Sequence, residues 1–292
     1  MNYIVVNYHY IKPEKLRGLN PCTEENFQKQ LGYLRANYTM ASVAKVYQAG
    51  ISGQAGKFCA LTFDDGLKEH YGFVFPTLKK YSIPGTFFLS GEILRDRKVS
   101  LTHKLQFLLW RFDTVNLVAM FHKFFNNKYH IDDKVKINPR RRFDDVITVN
   151  FKETLMILPL AERAAFINDV FGKYYDEAKI ADEFFINPAE AQHMIRGGME
   201  IGAHGFRHLS LEVLSPAEQR HDIESGIAAL AETISVKTEV FSYPHGRANS
   251  DTLEILRANG FKYGVTIKPE DVNLAVDPLL IPRYDANDIK VF

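Results

Sequence analysis

The chain has 292 residues, of which 46% are hydrophobic and 24% are charged, and its formal net charge is +1. This composition is that of a globular protein with a large core, and the near-neutral charge gives no argument for a nucleic-acid partner. No segment reaches the length of about 18 apolar residues that spans a bilayer. The N-terminal sequence lacks the basic and apolar regions of a signal peptide, so we expect a cytoplasmic protein.

The first part of the chain alternates between strand and helix patterns. Short apolar segments at 3–9, 57–63 and 85–90 are typical of buried strands, because they are rich in β-branched and aromatic residues. The spacing of apolar residues predicts helices at 23–37 and 67–81. Strands that alternate with helices in this way indicate a parallel sheet built from βαβ units.

This alternation stops at about residue 95. No clear strand pattern is present from 95 to 187, where aromatic-rich segments such as 101–125 predict helices. We therefore interpret 95–187 as a helical insertion, with a small second domain as the alternative. Its apolar helix faces are more typical of core packing than of lipid contact, and a peripheral contact with a membrane is the alternative.

The insertion contains a run of three basic residues, Arg140, Arg141 and Arg142. Such a run is most simply a solvated loop. Arginine also binds phosphate oxygens in a bidentate manner, so the run could contact the pyrophosphate of a nucleotide-linked or lipid-linked sugar.

The alternation of strands and helices resumes after the insertion. Three helices are predicted, and Pro, Ser or Gly residues mark their ends. The predicted helices lie at 188–198, 215–234 and 250–260, and the predicted strands at 199–205, 240–246, 261–267 and 279–285. Together with the first three strands this makes about seven, which predicts an α/β fold of the distorted (β/α)7-barrel kind. We assign 1–94 and 188–292 to this barrel.

Polar side chains follow several of the predicted strands, at the points where the strands end. In a β/α barrel these carboxyl ends meet at one rim, where functional groups collect. The residues at these positions are His9, Asp64, Asp65, His204, His208, His245 and Arg283. One aspartate with two histidines is a common ligand set for zinc or a similar divalent metal.

The adjacent carboxylates Asp64 and Asp65 repel each other unless a cation is near. If one of them binds a metal, the other is free to take a proton from water whose pKa the metal lowers. This combination suits hydrolysis of an amide or an ester. Taken alone, the "DDG" segment could be an ordinary turn, and His204 and His208 could be two surface histidines.

With these residues the chain resembles the polysaccharide deacetylase family, also called carbohydrate esterase family four. The segment "TFDDG" matches the first motif of that family, "HGFRH" the second and "SYPHG" the third. The resemblance implies that Asp64 is the catalytic base and that Asp65, His204 and His208 bind the metal. Zinc is the expected metal, with cobalt, nickel and manganese as alternatives.

The chain also departs from the motifs of the family. Gly205 replaces a hydroxyl residue, which would loosen the loop that carries the ligands, and Ser242 replaces the arginine that steadies the base. Arg283 on the last strand could supply that charge instead. The family implies that the backbone N–H of His245 helps to bind the oxyanion. The last strand lacks the histidine that acts as general acid in the family, and either His9 or His245 could replace it.

The resemblance therefore implies a metal-dependent hydrolase that removes an N-acetyl group from an acetamido sugar. The sugar could be free, nucleotide-linked or lipid-linked, in the synthesis of a surface polysaccharide or glycolipid. Two alternatives stay open, namely hydrolysis of another C–N bond in a formamide or cyclic amide, and a non-catalytic sugar-binding barrel. The sequence gives no indication of the oligomeric state.

Overall fold

Short segments rich in β-branched and aromatic residues form the strands of this protein, as seen in a computed structural model. The structure describes residues 2–12, 20–139, 141 and 143–289. The strands within these ranges are β1 Tyr3–Tyr8, β2 Ile11–Lys12, β3 Cys22–Thr23, β4 Thr39–Met40, β5 Phe58–Phe63, β6 Gly85–Leu89, β7 Glu200–Ala203, β8 Val240–Ser242, β9 Tyr263–Val265 and β10 Tyr284–Asp285.

Most of the longer helices begin at a Ser, Thr, Asp or Asn cap whose side chain accepts a backbone N–H of the first turn. The α-helices are α1 Glu24–Asn37, α2 Val43–Ser52, α3 Phe75–Lys80, α4 Gly91–Asp96, α5 Leu101–Arg111, α6 Thr114–Phe124, α7 Val146–Ile157, α8 Leu160–Gly172, α9 Glu177–Phe184, α10 Pro188–Arg196, α11 Pro216–Ile234 and α12 Ser250–Ala258. Shorter helical turns lie at His70–Val74, Leu211–Val213, Pro244–Gly246 and Ala286–Asp288.

The main sheet is parallel throughout, in the order β10-β1-β5-β6-β7-β8-β9, and β4 pairs separately with β5. The segment that leads into β10 also reaches the opposite edge of the sheet, because Ile281 pairs with Val265 of β9. The same segment then pairs with β1, so it links the two edges. The predicted α/β barrel with about seven strands is confirmed.

Alternation along the strands sends side chains to two buried faces, and one of these faces carries a polar layer near the strand ends. In β1, Ile4, Val6 and Tyr8 pack in one apolar cluster with residues of α1, and Val5 lies in a second cluster. Asn7 shares the face of Val5, because side chains alternate along a strand. Asn7 is also in register with Thr62 of β5, so two buried polar residues lie side by side. This polar layer lies next to the end of β5, where Asp64 follows.

The chain forms two compact units. The first contains all ten strands named above and includes Cys22–Lys98 and the described residues from 180 onward. The second includes Val99–Lys179 with Asn20 and Pro21, and it contains α5 to α8 and no strand among its described residues. The boundaries predicted from sequence, at 95 and 187, stay predictions, and Arg140 and Arg142 lie outside the described residues.

Two helices differ from the sequence-based expectation. The helix predicted at 67–81 is divided into the π-helical turn His70–Val74 and α3, because Pro76 lacks an N–H and is tolerated only in a first turn. Helix α2 was not predicted, although its Ser42 cap and left-handed Gly53 end are recognisable signals. None of the described helices is long and apolar enough to cross a bilayer.

Candidate functional site

The polar residues predicted at the strand ends lie together at the carboxyl edge of the sheet. His9 follows β1, and Asp64 and Asp65 follow β5 directly. His204 and His208 follow β7, His245 follows β8, and Arg283 directly precedes β10. Parallel pairing places the carboxyl ends of β1, β5, β7 and β8 on the same side, and Arg283 reaches them because the next residue, Tyr284, pairs with Val6 near the carboxyl end of β1.

Arg283 and Asp64 form a buried bidentate ion pair. Arg283 Nη1 donates to Asp64 Oδ1 at 2.9 Å, and Nη2 donates to Oδ2 at 2.8 Å. Ser242 Oγ donates to the same Oδ2 at 3.2 Å. Burial by itself raises the pKa of Asp64, but the Arg283 cation, with smaller contributions from His204 and His9, lowers that pKa to about 2. Asp64 is therefore a carboxylate at neutral pH.

The other N–H groups of Arg283, a side chain that is 1% exposed, also have acceptors. Nε donates to the carbonyl oxygen of Thr266 at 2.7 Å, and Nη1 donates to Asn7 Oδ1 at 2.9 Å. Thr62 and Ser242 accept further bonds through their hydroxyl oxygens. A buried cation is costly unless it is paired and hydrogen-bonded, and the polar layer meets both conditions.

Asp65 lies among the histidines of the second motif rather than beside the arginine. Asp65 Oδ1 is 3.3 Å from Nε2 of His204 and 3.1 Å from Nε2 of His208. All three residues are buried, and they form the one group of three or more His, Cys, Asp or Glu within the described ranges whose ligand atoms converge closely enough for a metal. Asp65 and His208 have positive φ angles of 76° and 55°, which are uncommon for non-glycine residues and typical of functional sites.

The ring nitrogen of His204 that carries the hydrogen indicates that this cluster fits a cation. Nδ1 of His204 lies 2.7 Å from the carbonyl oxygen of Ser242, which can only accept, so Nδ1 carries the hydrogen. In the neutral side chain, Nε2 then presents a lone pair toward Asp65 Oδ1. Two lone pairs at this separation repel, and a bound cation removes the repulsion.

The two remaining histidines occupy different sides of the site. His9 Nε2 is 3.8 Å from Asp64 Oδ2, and the His9 side chain is 42% exposed. The carbonyl oxygen of His9 accepts a hydrogen bond from Nε2 of the buried His70. The ring of His245 lies instead against His208, with the ring centroids 4.9 Å apart. The structure thus brings every predicted site residue to one rim.

Sequence reasoning missed four residues around the site: Asn7, Thr62, His70 and Asp222. A signal was available for Asn7 and Thr62, because each is a polar residue inside an otherwise apolar strand. Asp222 lies in α11, 0% exposed, and accepts hydrogen bonds from the loop between His204 and His208. No local pattern distinguishes Asp222 from the solvated polar residues of the same helix.

The fold and the site together define an α/β barrel protein with a buried Asp-His-His cluster beside an Arg-paired carboxylate. The sequence model of the polysaccharide deacetylase family matches residues 52–106 and 142–264, which is more than half of the chain. The chain belongs to the polysaccharide deacetylase family.

Curated relatives match over shorter segments. The chain is 28% identical over 127 residues to the putative polysaccharide deacetylase YxkH of Bacillus subtilis, covering 44% of this chain and 43% of that protein. It is 33% identical over 88 residues to the peptidoglycan deacetylase-like protein FGM2 of Gibberella zeae, covering 30% of this chain and 26% of that protein. The matches thus span less than half the length of either relative.

Solved structures of similar fold extend over almost the whole chain. The deacetylase PplD of Streptococcus pyogenes, solved with acetate, has a TM-score of 0.62 at 18% identity and covers 98% of this chain and 92% of its own. IcaB of Ammonifex degensii has a TM-score of 0.58 at 21% identity, with coverages of 96% and 90%. At these identities the similarity concerns the fold.

Proposed function

We propose that this protein is a metal-dependent hydrolase that removes an N-acetyl group from an acetamido sugar. The main observation behind the proposal is that the two adjacent carboxylates have different partners. Asp64 is bound by Arg283 and Ser242, whereas Asp65 lies among His204 and His208. Family membership supports this reading, because the family acts on acetylated carbohydrates and its members are generally metal-dependent.

Asp65, His204 and His208 would hold the metal. Their one carboxylate oxygen and two imidazole nitrogens suit zinc best, and cobalt, nickel and manganese accept similar donors. A divalent metal in this position supplies Lewis-acid chemistry, which polarises an amide carbonyl and lowers the pKa of water. The hydrogen bond from His204 Nδ1 to Ser242 keeps Nε2 available as a ligand atom.

Asp64 would act as the general base that accepts a proton from the attacking water. Arg283 holds the carboxylate in one orientation through two parallel bonds, and it replaces the arginine that the third motif lacks. Ser242, at the motif position, bonds to both Asp64 and Arg283, so the substitution keeps the site hydrogen-bonded. Water attacks the acetamide carbon, the C–N bond breaks, and acetate and a free amine leave.

The amine needs a proton as it leaves, and we assign its donor to His9. The His9 ring lies beside Asp64 and is partly exposed, so a bound substrate can reach it. His245 packs its ring on His208, and we assign to it the oxyanion contact through its backbone N–H. The pairing of β1 with β10 places His9 next to the strand that carries the acid in other members of the family.

The substrate form and the setting also belong to this proposal. We propose an acetamido sugar that is free, nucleotide-linked or lipid-linked, in the synthesis of a surface polysaccharide or glycolipid. The cytoplasmic location stays a prediction from the sequence, and peripheral membrane contact stays the alternative to core packing for the helical insertion.

The test is a mass-spectrometric screen of free, nucleotide-linked and lipid-linked acetamido sugars with the zinc-loaded full chain. We expect loss of an acetyl group from at least one sugar and release of acetate. Asp64→Asn should lower the rate by about 10²–10⁴-fold, which is the usual contribution of a general base. Acetate release that is unchanged in Asp64→Asn and in His204→Ala would contradict the mechanism. Release of formate from formamides without any acetate would favour a different C–N bond.

A further inference from the structure

The loop that connects His204 to His208, which we call the ligand loop, is bound to a buried carboxylate on α11. Asp222 Oδ2 accepts the backbone N–H of Phe206 at 2.9 Å, and Oδ1 accepts that of Arg207 at 3.2 Å. The side chain of Arg207 donates to the same Oδ1 through Nε at 3.2 Å. Asp222 is 0% exposed, so these bonds form away from solvent.

The carbonyl groups of the ligand loop have partners on the opposite side. Gly205 O and Phe206 O accept the backbone N–H groups of Gly91 and Glu92, each at 3.0 Å. These donors are the first residues of α4, where helix N–H groups lack intrahelical acceptors. The ligand loop is therefore fixed from both sides, by the carboxylate of α11 and by the N-terminus of α4.

The absence of a side chain at Gly205 makes this arrangement possible. Gly205 has a φ of +68°, and a Cβ there would lie 2.8 Å from Asp222 Oδ2. The expectation that Gly205 loosens the ligand loop is therefore wrong, because the Asp222 carboxylate fills the space and binds the backbone directly. Gly226, one turn further along α11, approaches as closely, since its Cβ would lie 2.8 Å from the carbonyl group of Gly205.

We propose that Asp222 is a positioning residue for the two histidine ligands, taking the place of the hydroxyl residue that the second motif lacks. This inference rests on the proposed metal site of Asp65, His204 and His208. Both Nε2 atoms must lie near one oxygen of Asp65, and His208 keeps a left-handed backbone that its surroundings must impose. Groups that orient metal ligands typically raise metal affinity, and their loss lowers it.

The experiment measures Zn²⁺ affinity of the metal-free full chain by isothermal titration calorimetry. Asp222→Asn keeps the shape of the side chain but replaces one acceptor oxygen with a donor amide that faces an N–H group. We expect Asp222→Asn and Asp222→Ala to weaken Zn²⁺ binding by about 10–100-fold. A folded Asp222→Asn protein that binds Zn²⁺ as tightly as the parent overturns the proposal.

Gln219→Ala is the matched control on the same helix. Gln219 is also 0% exposed, and the hydrogen bonds of its side chain join it to Leu214 O, Asn249 and Thr252, which lie outside the ligand loop. We expect this variant to lower the free energy of unfolding while Zn²⁺ affinity stays at the parent value. Equal losses of affinity in Gln219→Ala and Asp222→Asn would show a general effect of α11 and overturn the specific role of Asp222.

Gly226→Ala provides a second route if the Asp222 variants do not fold. Alanine favours the helix more than glycine does, but its methyl group pushes against Gly205. We expect Zn²⁺ affinity to fall by about tenfold, the lower end of the range for changes outside the ligands. Unchanged affinity would overturn the proposal.

His204→Ala separates this inference from the proposed metal site on which it rests. If His204→Ala binds Zn²⁺ as tightly as the parent, the assignment of Asp65, His204 and His208 as metal ligands is wrong. If only the Asp222 variants bind as tightly as the parent, the metal site stands and the positioning role of Asp222 is wrong.

Discussion

Arg283 donates two parallel hydrogen bonds to Asp64, and the two residues lie 219 positions apart in the chain. Both are nearly inaccessible to solvent, at 1% and 2% exposure. The pair links the end of β5 to the segment that connects the two edges of the sheet. The same contact therefore holds the barrel together and orients the proposed base.

Removal of Arg283 should destabilise the protein strongly. Arg283→Met leaves Asp64 buried without its cation, and breaking one side of a buried pair typically costs about 3–5 kcal/mol of the free energy of unfolding. Urea denaturation measures this loss. The control is Arg257→Met, because Arg257 pairs with Asp277 at the surface and such pairs contribute about 0–1 kcal/mol. A loss below about 1 kcal/mol for Arg283→Met would contradict the structural role of the pair.

Removal of the metal should abolish activity reversibly. A chelator should stop acetate release, and Zn²⁺ should restore it, because Asp65, His204 and His208 form a converging ligand set. His208→Gln should weaken Zn²⁺ binding, measured by calorimetry. His193→Gln is the control, since His193 lies on α10, bonds to Tyr71 and takes no part in the cluster. Full activity in chelator would rule out the proposed chemistry.

The two candidate acids can be distinguished by their glutamine variants. His9→Gln should lower kcat by about 10²–10⁴-fold, because the leaving amine loses its proton donor. His245→Gln keeps the backbone N–H, so its kcat should change far less. Rates measured from pH 5 to 9 test both. The opposite ranking would assign the acid to His245.

Stability should fall as the pH drops below the ordinary pKa of histidine, in part because of His70. His70 is 0% exposed and packs against the rings of Phe63 and Phe87, and burial lowers its pKa. As the pH falls through about 6.5, this histidine binds a proton in the unfolded chain but not in the folded protein. The neutral His70 therefore contributes its full share of the free energy of unfolding above that pH, and this share is lost below it.

The variant His70→Gln tests this contribution, because glutamine can still donate to the carbonyl oxygen of His9 but does not titrate. Urea denaturation at pH 7.5 and at pH 5 should show a smaller decrease in stability for the variant than for the parent. An equal decrease in both proteins would assign the pH dependence to other groups.

Much of the barrel could be predicted because its signals are local. The segment before Asp64 is apolar and strand-forming, and it ends at two carboxylates and a glycine. His204 and His208 follow another such strand, so the parallel order alone brings them to the rim with Asp65. The π-helical turn before Pro76 was not predicted, because the apolar spacing around it is that of a regular helix.

The sequence by itself determined which residues gather at the rim, because strand ends and residue types are read from neighbours along the chain. Only the tertiary structure decided how they pair. The resemblance to the family had suggested Arg283 as the partner of Asp64, but the two parallel bonds of that pair and the contact of Asp222 with the ligand loop emerged only once distant segments were packed together. Such contacts depend on the register of parallel strands and on the close approach of α11 at Gly205 and Gly226, and neither leaves a periodic pattern in the sequence.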